Sequence, residues 1–200
     1  HGVPLGGLGT GYICWDPDGR QSQCTLFNQV PNASQVPDIG LIPFSLVVDG
    51  RPYDLAVRGT DQRGDLSDLR YFGHYPVCDM QFTLECAVQV EVRAYAPFFP
   101  GDAAESNTPA VIFEVWLVNT GSNPADIALR MTAPPPPRPF TSSEISAENE
   151  WQVICGRHPW DKANPRLGGR PLEHELALAA QVGSVACTDG MLQSSLHRVL

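Results

Sequence analysis

The sequence predicts an all-β protein built as a large antiparallel β-sandwich, and three features of the chain carry this prediction. Apolar and polar residues alternate repeatedly with a period of two, which is typical of strands that have one buried face. Glycine (18 residues) and proline (19 residues) are frequent, as expected where many short strands are joined by turns. Proline also disfavours long helices, because it lacks the backbone donor and clashes with the preceding turn.

The clearest strands lie in the middle of the chain. The segment Val88 to Val92 alternates valine with polar residues, which predicts a strand with one solvated face. Residues Ala110 to Val118 are apolar on both faces except at Glu114, which predicts a central strand covered on both sides. A polar turn then leads to the alternating segment Ile127 to Met131, so these two strands are predicted to form an antiparallel pair.

Further strands are predicted on either side, separated by turn sequences. The strand segments are Tyr12 to Trp15, Gln23 to Phe27, Phe44 to Val48, Met80 to Glu85, Trp151 to Cys155 and Leu176 to Val182. Alanine and leucine make the stretch from Glu175 to Val182 compatible with a short helix as well. The turns are Asp16-Pro17-Asp18-Gly19, Asp49-Gly50 and Asp189-Gly190. Many short strands at this spacing favour a β-sandwich.

The proline-rich run Pro134 to Pro139 interrupts this pattern, and it can be either a stiff domain linker or a long surface loop. Strand-like segments resume beyond it, which favours the loop. Residues 1–200 are therefore predicted to form one β-sandwich domain, long enough to bury a core. Because the chain starts at His1 and stops at Leu200 without a tail-like composition, we expect both ends to cut through folded sequence.

The charge and hydropathy of the chain argue against two classes of partner. The formal net charge is −9 at pH 7 and no basic cluster offsets it, so a phosphate backbone would be repelled and nucleic acid is not an expected partner. No apolar run approaches the roughly 18 residues that a bilayer span needs. We therefore expect no membrane span in this segment.

The cysteines and histidines do not predict a metal or cofactor site. Six cysteines are present: Cys14, Cys24, Cys78, Cys86, Cys155 and Cys187. An even number permits disulfides, but no C-x-x-C pair or zinc-type spacing occurs, and strand-like surroundings favour buried free thiols. His74, His158, His174 and His197 are scattered without an H-E-x-x-H motif, and no G-x-S-x-G elbow marks a catalytic serine.

The glycine-rich opening from Gly6 to Gly11 does not predict a nucleotide-binding loop. No lysine follows it, as a phosphate-binding loop requires, and its glycines are too closely spaced for a dinucleotide fingerprint. A dinucleotide site also needs a strand before the glycines and a helix after them, whereas strand-like Tyr12 to Trp15 follows here. We expect these glycines to permit positive φ angles and close backbone approach in a packed loop.

Paired carboxylates would indicate glycoside hydrolysis, but the acidic residues do not form a convincing pair. The candidates inside structured segments are Asp79, Glu85, Glu91 and Glu114. Glu85 and Glu91 are interpreted as solvent-facing, and Glu114 is expected to be partly buried between Phe113 and Val115. A structural hydrogen-bonding role is favoured for all four, so no catalytic residue is assigned.

Aromatic residues are the better candidates for carbohydrate recognition, since flat rings stack on the apolar face of a sugar. They are Trp15, Trp116, Trp151, Trp160, Tyr71, Phe72, Tyr75, Phe98 and Phe99. Trp116 lies in the most hydrophobic strand and is predicted to be a core residue. Trp160 is in a polar loop and is the better candidate for an exposed ring, although simple packing is an equal alternative there.

Three segments of the chain resemble segments of the family 116 glycoside hydrolases. Residues Gly2 to Gly11 resemble the opening motif of that family, and Tyr75 to Met80 resemble its YPVADM segment, with Cys78 in place of the alanine. Ala94 to Pro100, followed by Ser106 to Val111, resemble its A-F/Y-S/A-P-F-I-P segment. The resemblance covers about the first 120 residues in the right order.

This resemblance implies a fold and an activity for the longer protein. It implies an N-terminal β-sandwich followed by an (α/α)6 helical barrel that hydrolyses β-glucosides with retention, as in the non-lysosomal glucosylceramidases. Retention needs two carboxyl groups about 5 Å apart, and in that family the barrel supplies both. No residue of this chain matches those positions, so we expect the chain alone to be inactive. The alternative is a stand-alone carbohydrate-binding β-sandwich.

Overall fold

Strands make up most of the part of the chain that the structure describes. A computed structural model describes residues 2–25, 41–57, 66–134, 140–159, 173–181, 183–188 and 191–200. These residues contain fifteen strands and one four-residue helix, Ala103–Ser106 (α1). Antiparallel pairs make up a small sheet of three strands, a four-stranded meander, a second sheet of three strands and two hairpins, which confirms the predicted all-β, sandwich-like class. The chain divides into two compact units, residues 1–128 with 198–200, and residues 129–197.

The first unit contains three groups of strands. Its strands are β1 (Val3–Leu5), β2 (Ile13–Trp15), β3 (Gln21–Cys24), β4 (Phe44–Val48), β5 (Arg51–Asp54), β6 (Leu66–His74), β7 (Val77–Leu84), β8 (Val88–Tyr95) and β9 (Ile112–Asn119). Strands β1, β2 and β3 form a small sheet, β4 and β5 form a hairpin, and β6 to β9 form a four-stranded meander. Strand β10 (Asp126–Thr132) begins in this unit.

Turn residues set the β4–β5 hairpin as predicted. Asp49 and Gly50 both have positive φ angles, 50° and 81°, and Val48 pairs with Arg51 across the turn. Two residues with positive φ match the right-handed twist of the flanking strands, and glycine adopts this conformation without a steric penalty. The local sequence therefore fixes both the position of the turn and the register of the hairpin.

A cluster of three aromatic rings forms the core of the first unit. Trp15 of β2, Phe44 of β4 and Phe113 of β9 pack with ring centroids 5.6–5.8 Å apart, so one side chain from each strand group meets the others. The indole nitrogen of Trp15 donates to the carbonyl oxygen of Gly19 at 2.9 Å, which satisfies the one polar atom of this buried ring.

The meander shows the alternation that the sequence predicts, with one exception at β9. In β8, the valines and Ala94 are buried while the intervening polar residues are exposed. The prediction of a central, doubly covered strand is wrong for β9, since this strand is at the edge of the sheet and alternate residues of it are exposed. Apolar residues on both faces of a strand do not show that the chain itself covers both faces.

The predicted pairing of the two strands on either side of residues 119–125 is also wrong. Strand β9 pairs with β8, and β10 belongs to a different sheet. At the intervening turn, Thr120 donates to Ala87, while Ala125 exchanges two backbone hydrogen bonds with Leu200. A polar turn of this length fits both a hairpin and a crossing between sheets, so pattern alone could not distinguish them.

The second unit contains the remaining strands. They are β11 (Ser142–Glu148), β12 (Trp151–Pro159), β13 (Glu173–Ala180), β14 (Ser184–Thr188) and β15 (Met191–Val199), the last of which ends in the first unit. Strands β11, β12 and β13 form an antiparallel sheet, and β14 pairs with β15. The alanine- and leucine-rich segment is thus a strand, not a helix. Residues 135–139 of the proline-rich run and the Asp189-Gly190 turn lie outside the described residues.

Candidate functional site

The glycine-rich opening of the chain lines an open groove of about 500 Å³. Its walls are formed by Gly2, Pro4, Gly6, Gly7, Leu8, Gly9, Tyr12, Cys14 and Tyr75. The glycine run connects β1 to β2, so a strand precedes it, and a strand and not a helix follows. The run therefore has the local structure of a packed turn, as predicted, and not that of a dinucleotide-binding loop.

The turn at residues 7–10 is held against the segment that follows β8. The amide of Leu8 donates to the carbonyl oxygen of Ser106 at 2.8 Å, and Thr10 donates to Gly7 through its amide and its hydroxyl at 3.2 and 3.0 Å. A Cβ atom on Gly7 would lie 2.5 Å from the carbonyl oxygen of Thr108. Only glycine permits this approach of two backbones, which confirms the expected packing role.

The buried Ser106 hydroxyl organises the segment that supports the turn. It accepts from the amide of Phe99 at 2.9 Å and donates to the carbonyl oxygen of the same residue at 3.0 Å. The helix α1 that carries Ser106 begins after Asp102, whose carboxylate accepts from the amide of Glu105 at 3.0 Å. These contacts fix the backbone beneath Gly7 and Leu8.

The other wall of the groove is anchored to the meander. The amide of Gly2 donates to a carboxylate oxygen of Asp16 at 2.6 Å, and the amide of Val3 donates to the Tyr71 hydroxyl oxygen at 2.8 Å. The Tyr71 hydroxyl also interacts electrostatically with the fully buried Cys78 thiol. Burial is the main cause that raises the pKa of Tyr71, and likewise that of Cys78, to about 12 in each case, so both groups stay protonated at neutral pH.

An exposed aromatic pair borders the groove. Tyr75, which lines it, is 47% exposed and packs edge-on against Phe98 with ring centroids 5.8 Å apart. Leu8 and Phe99 are exposed as well. The sequence singled out Tyr75 twice, as an aromatic candidate and as part of a family motif. Its proximity to the glycine turn depends on how the meander packs on the first sheet, which the sequence did not reveal.

The described residues that line the groove offer no side chain for acid–base chemistry, since none of them is a carboxylate or a histidine. The peptide groups of the glycines, the phenols of Tyr12 and Tyr75, and the Cys14 thiol are its polar elements. Burial and the neighbouring Asp16 raise the pKa of Cys14, which keeps the thiol protonated and weakly nucleophilic.

The predicted carboxylates lie elsewhere, on the outward face of the meander. Asp79 forms an ion pair with Arg93 at 2.7 Å, and Glu91 accepts from the amide of Gln81 at 3.4 Å. Glu114 is exposed rather than partly buried and accepts from the Tyr95 hydroxyl at 3.5 Å. Glu85 is exposed in the bend after β7. The structural hydrogen-bonding role predicted for these residues agrees with the partners of Asp79, Glu91 and Glu114.

The tryptophans are distributed differently from the prediction. Trp15 is fully buried, whereas Trp116 is 46% exposed and Trp151 is 42% exposed. The assignment of Trp116 to the core is therefore wrong, because β9 is an edge strand whose even-numbered residues face outward. Trp160 lies outside the described residues.

The thiols and histidines form no further site within the described part of the chain. Cys14 and Cys78 are buried free thiols, as predicted, while Cys86, Cys155 and Cys187 are free but only half-buried. His74 and His197 are exposed, and His158 is opposite His174 in the β12–β13 register. No group of three or more potential metal ligands occurs among the described residues. None of the described helices is long and apolar enough to cross a membrane.

The described residues thus form all-β units, and the groove along the glycine run has no carboxylate or histidine among its described lining residues. The family described as "beta-glucosidase 2, glycosyl-hydrolase family 116 N-term" matches residues 2–136, about two-thirds of the chain. The chain therefore belongs to this family, which confirms the resemblance of its glycine run, its Tyr75 segment and its Ala94 segment. A search of curated proteins found no match.

Proposed function

We propose that the chain is a non-catalytic N-terminal β-sandwich segment of a retaining β-glucosidase of the glucosylceramidase type. In this proposal, residues 1–200 belong to one N-terminal domain, which packs on a helical catalytic domain and shapes the rim of its active site. Family membership supports the link to glycoside hydrolysis. The observation that carries the non-catalytic role is the composition of the groove, whose described lining residues supply glycine peptides and tyrosine rings but no carboxylate.

The groove has the chemistry of a rim for a neutral, hydroxyl-rich ligand. Peptide N–H and C=O groups at glycines are accessible to sugar hydroxyls, and the exposed Tyr75 ring can stack on the apolar face of a pyranose. Hydrolysis needs in addition a nucleophile and an acid about 5 Å apart, which in this proposal come from the helical domain.

The test compares turnover of an aryl β-glucoside by the 200-residue chain and by the full-length protein that carries it. We expect the full-length protein to release the aglycone. The chain alone should release it no faster than a reaction without protein. Turnover by the chain alone, retained after repurification, would show that a catalytic pair lies within these residues and would overturn the proposal.

The second candidate function is a carbohydrate-binding module, which the exposed Tyr75–Phe98 pair favours. A module of this kind binds glycans without a catalytic domain. Calorimetry of the chain with methyl β-glucoside and with cello-oligosaccharides tests it. We expect binding heat that Tyr75→Ala abolishes and that Trp151→Ala, an exposed ring outside the groove, leaves unchanged. No heat with any of these ligands discards this function.

A further inference from the structure

The outward face of the meander is apolar along its edge strand. Three residues on the outward side of β9, Ile112, Trp116 and Val118, are exposed large hydrophobic residues. In the β8–β9 register, Glu91 lies opposite Trp116, and Arg93 lies opposite Glu114. We call the surface formed by Ile112, Trp116, Val118, Glu91 and Glu114 the β9 face.

The charges on the outward side of the meander do not balance. Arg70 forms an ion pair with Asp68 at 3.1 Å, and Arg93 forms one with Asp79 at 2.7 Å. Glu91 and Glu114 hydrogen-bond to neutral groups, the side-chain amide of Gln81 and the hydroxyl of Tyr95, although Arg93 lies opposite Glu114 and the pKa of Arg93 is raised in part by that carboxylate. Among the described residues, these two carboxylates have no cation within ion-pair distance.

Both unbalanced carboxylates flank the Trp116 ring. Directly opposite residues in an antiparallel pair have Cβ atoms about 5 Å apart, which applies to Glu91 and Trp116. Glu114 precedes Trp116 by two positions on the same side of β9, at a spacing of about 7 Å. An exposed indole between two carboxylates attracts a cation through its π face and through both charges.

The chemistry of the β9 face selects one kind of occupant. A purely apolar partner would cover Ile112, Trp116 and Val118 but would remove two unpaired carboxylates from water, which is costly. A guanidinium can stack on the indole while its N–H groups bond to a carboxylate, and adjacent apolar side chains can cover the rest of the strand. An acidic chain of net charge −9 also favours a basic partner.

We infer that the β9 face docks a polypeptide surface of the same full-length enzyme that presents an arginine among apolar side chains. This inference rests on the proposed function, which gives the chain a packing partner, and it identifies which face of the chain is covered. The sequence predicted that both faces of this strand are covered. In this inference the partner covers its outward face.

Hydroxyl-radical footprinting of the full-length protein tests this inference, because oxidation of tryptophan reports solvent access. Trp116 and Trp151 are exposed to nearly the same extent in this chain, 46% and 42%. We expect Trp116 to be oxidised at least fivefold more slowly than Trp151 in the full-length protein. The double variant Glu91→Gln/Glu114→Gln should raise the Trp116 rate at least twofold, whereas Glu85→Gln, an exposed glutamate off this face, should not.

Several results would overturn the inference. Equal oxidation of Trp116 and Trp151 means that the β9 face is open. Protection that increases with protein concentration assigns the face to a second copy, and protection that appears only with cellobiose assigns it to a glycan. Protection that persists in the double variant excludes the guanidinium. Aryl β-glucoside turnover is measured on the same samples, so that failure of the proposed function is recognised separately from failure of this inference.

Discussion

At the scale of single residues, Gly7 and Gly9 have different roles in the groove. Gly7 cannot carry a side chain, because a Cβ atom would collide with the backbone at Thr108. Gly9 has a φ of +75° and open space where a Cβ atom would lie, since the nearest atom is Asn107 Oδ1 at 3.9 Å. A residue that tolerates positive φ can therefore replace Gly9 without disturbing the fold, and its side chain would occupy the groove.

This difference predicts that Gly9→Asn impairs substrate binding in the full-length protein. Asparagine adopts positive φ at a cost of about 1 kcal/mol or less, so thermal unfolding should change little. The side chain would reduce access to the groove, and we expect KM for an aryl β-glucoside to rise about tenfold. Steady-state kinetics measures the effect.

The matched control for this variant is Gly50→Asn. Gly50 has a similar φ of +81°, a Cβ atom there would have no other atom within 4 Å, and the residue lies in the β4–β5 turn and not in the groove. KM should stay at the wild-type value in the control. An unchanged KM in Gly9→Asn as well would contradict the assignment of the groove to the active-site rim.

At the scale of elements, the attachment of β1 to the meander involves two protonated groups, the half-buried Tyr71 hydroxyl and the fully buried Cys78 thiol. The Tyr71 hydroxyl accepts from the amide of Val3 and interacts electrostatically with the Cys78 thiol. Burial raises both pKa values to about 12, from ordinary values of 10.0 for Tyr71 and 9.0 for Cys78. The native state therefore holds protons that the unfolded chain releases at lower pH.

These pKa shifts predict a loss of stability in alkaline solution. Below about pH 9 both groups are protonated in the folded and the unfolded chain, so the full stability is present. Between about pH 9 and 12 these groups ionise in the unfolded chain first, so the free energy of unfolding falls. For the fully buried Cys78 thiol the loss is on the order of a few kcal/mol. Urea unfolding at intervals from about pH 8 to 11 measures it.

Substitution of Cys78 tests whether its thiol causes the loss of stability in alkaline solution. Cys78→Ala introduces the small residue that the family segment has at this position, and it should make the alkaline loss of stability shallower. Cys86→Ala, at a half-buried thiol in the bend after β7, should leave the slope unchanged. The same slope in Cys78→Ala as in the wild type would exclude the thiol as its source.

Nine of the fifteen described strands were predicted from the sequence, but β1, β5, β6, β11, β14 and β15 were not, and neither was the order of the strands in the sheets. The segment Phe44–Val48 was predicted with its observed bounds, because alternation and the Asp49-Gly50 turn act over a few residues. Strand β9 was also found, yet its edge position and its exposed Trp116 were missed. Strand order depends on contacts between distant segments, and a pattern of apolar residues does not specify which surface covers them.

At the scale of the whole molecule, family membership was predictable because its signals are local motifs. The glycine run and the Tyr75 and Ala94 segments are short, and all fall within the matched residues 2–136. The groove was not predictable from any one of them. It forms where β1, β2 and the turn after β6 meet, and this arrangement depends on the packing of separate sheets around Trp15, Phe44 and Phe113.

The sequence by itself determined the all-β class, most strand positions and the family, since alternation, turn chemistry and motifs are each carried by neighbouring residues. Only the tertiary structure decided which residues share a surface. In that structure Tyr75 lies beside the glycine turn, and Trp116 is exposed between Glu91 and Glu114. The physical reason is that burial and electrostatic environment depend on contacts between segments that are far apart in the sequence. The residues of one segment do not specify which other segment they will contact.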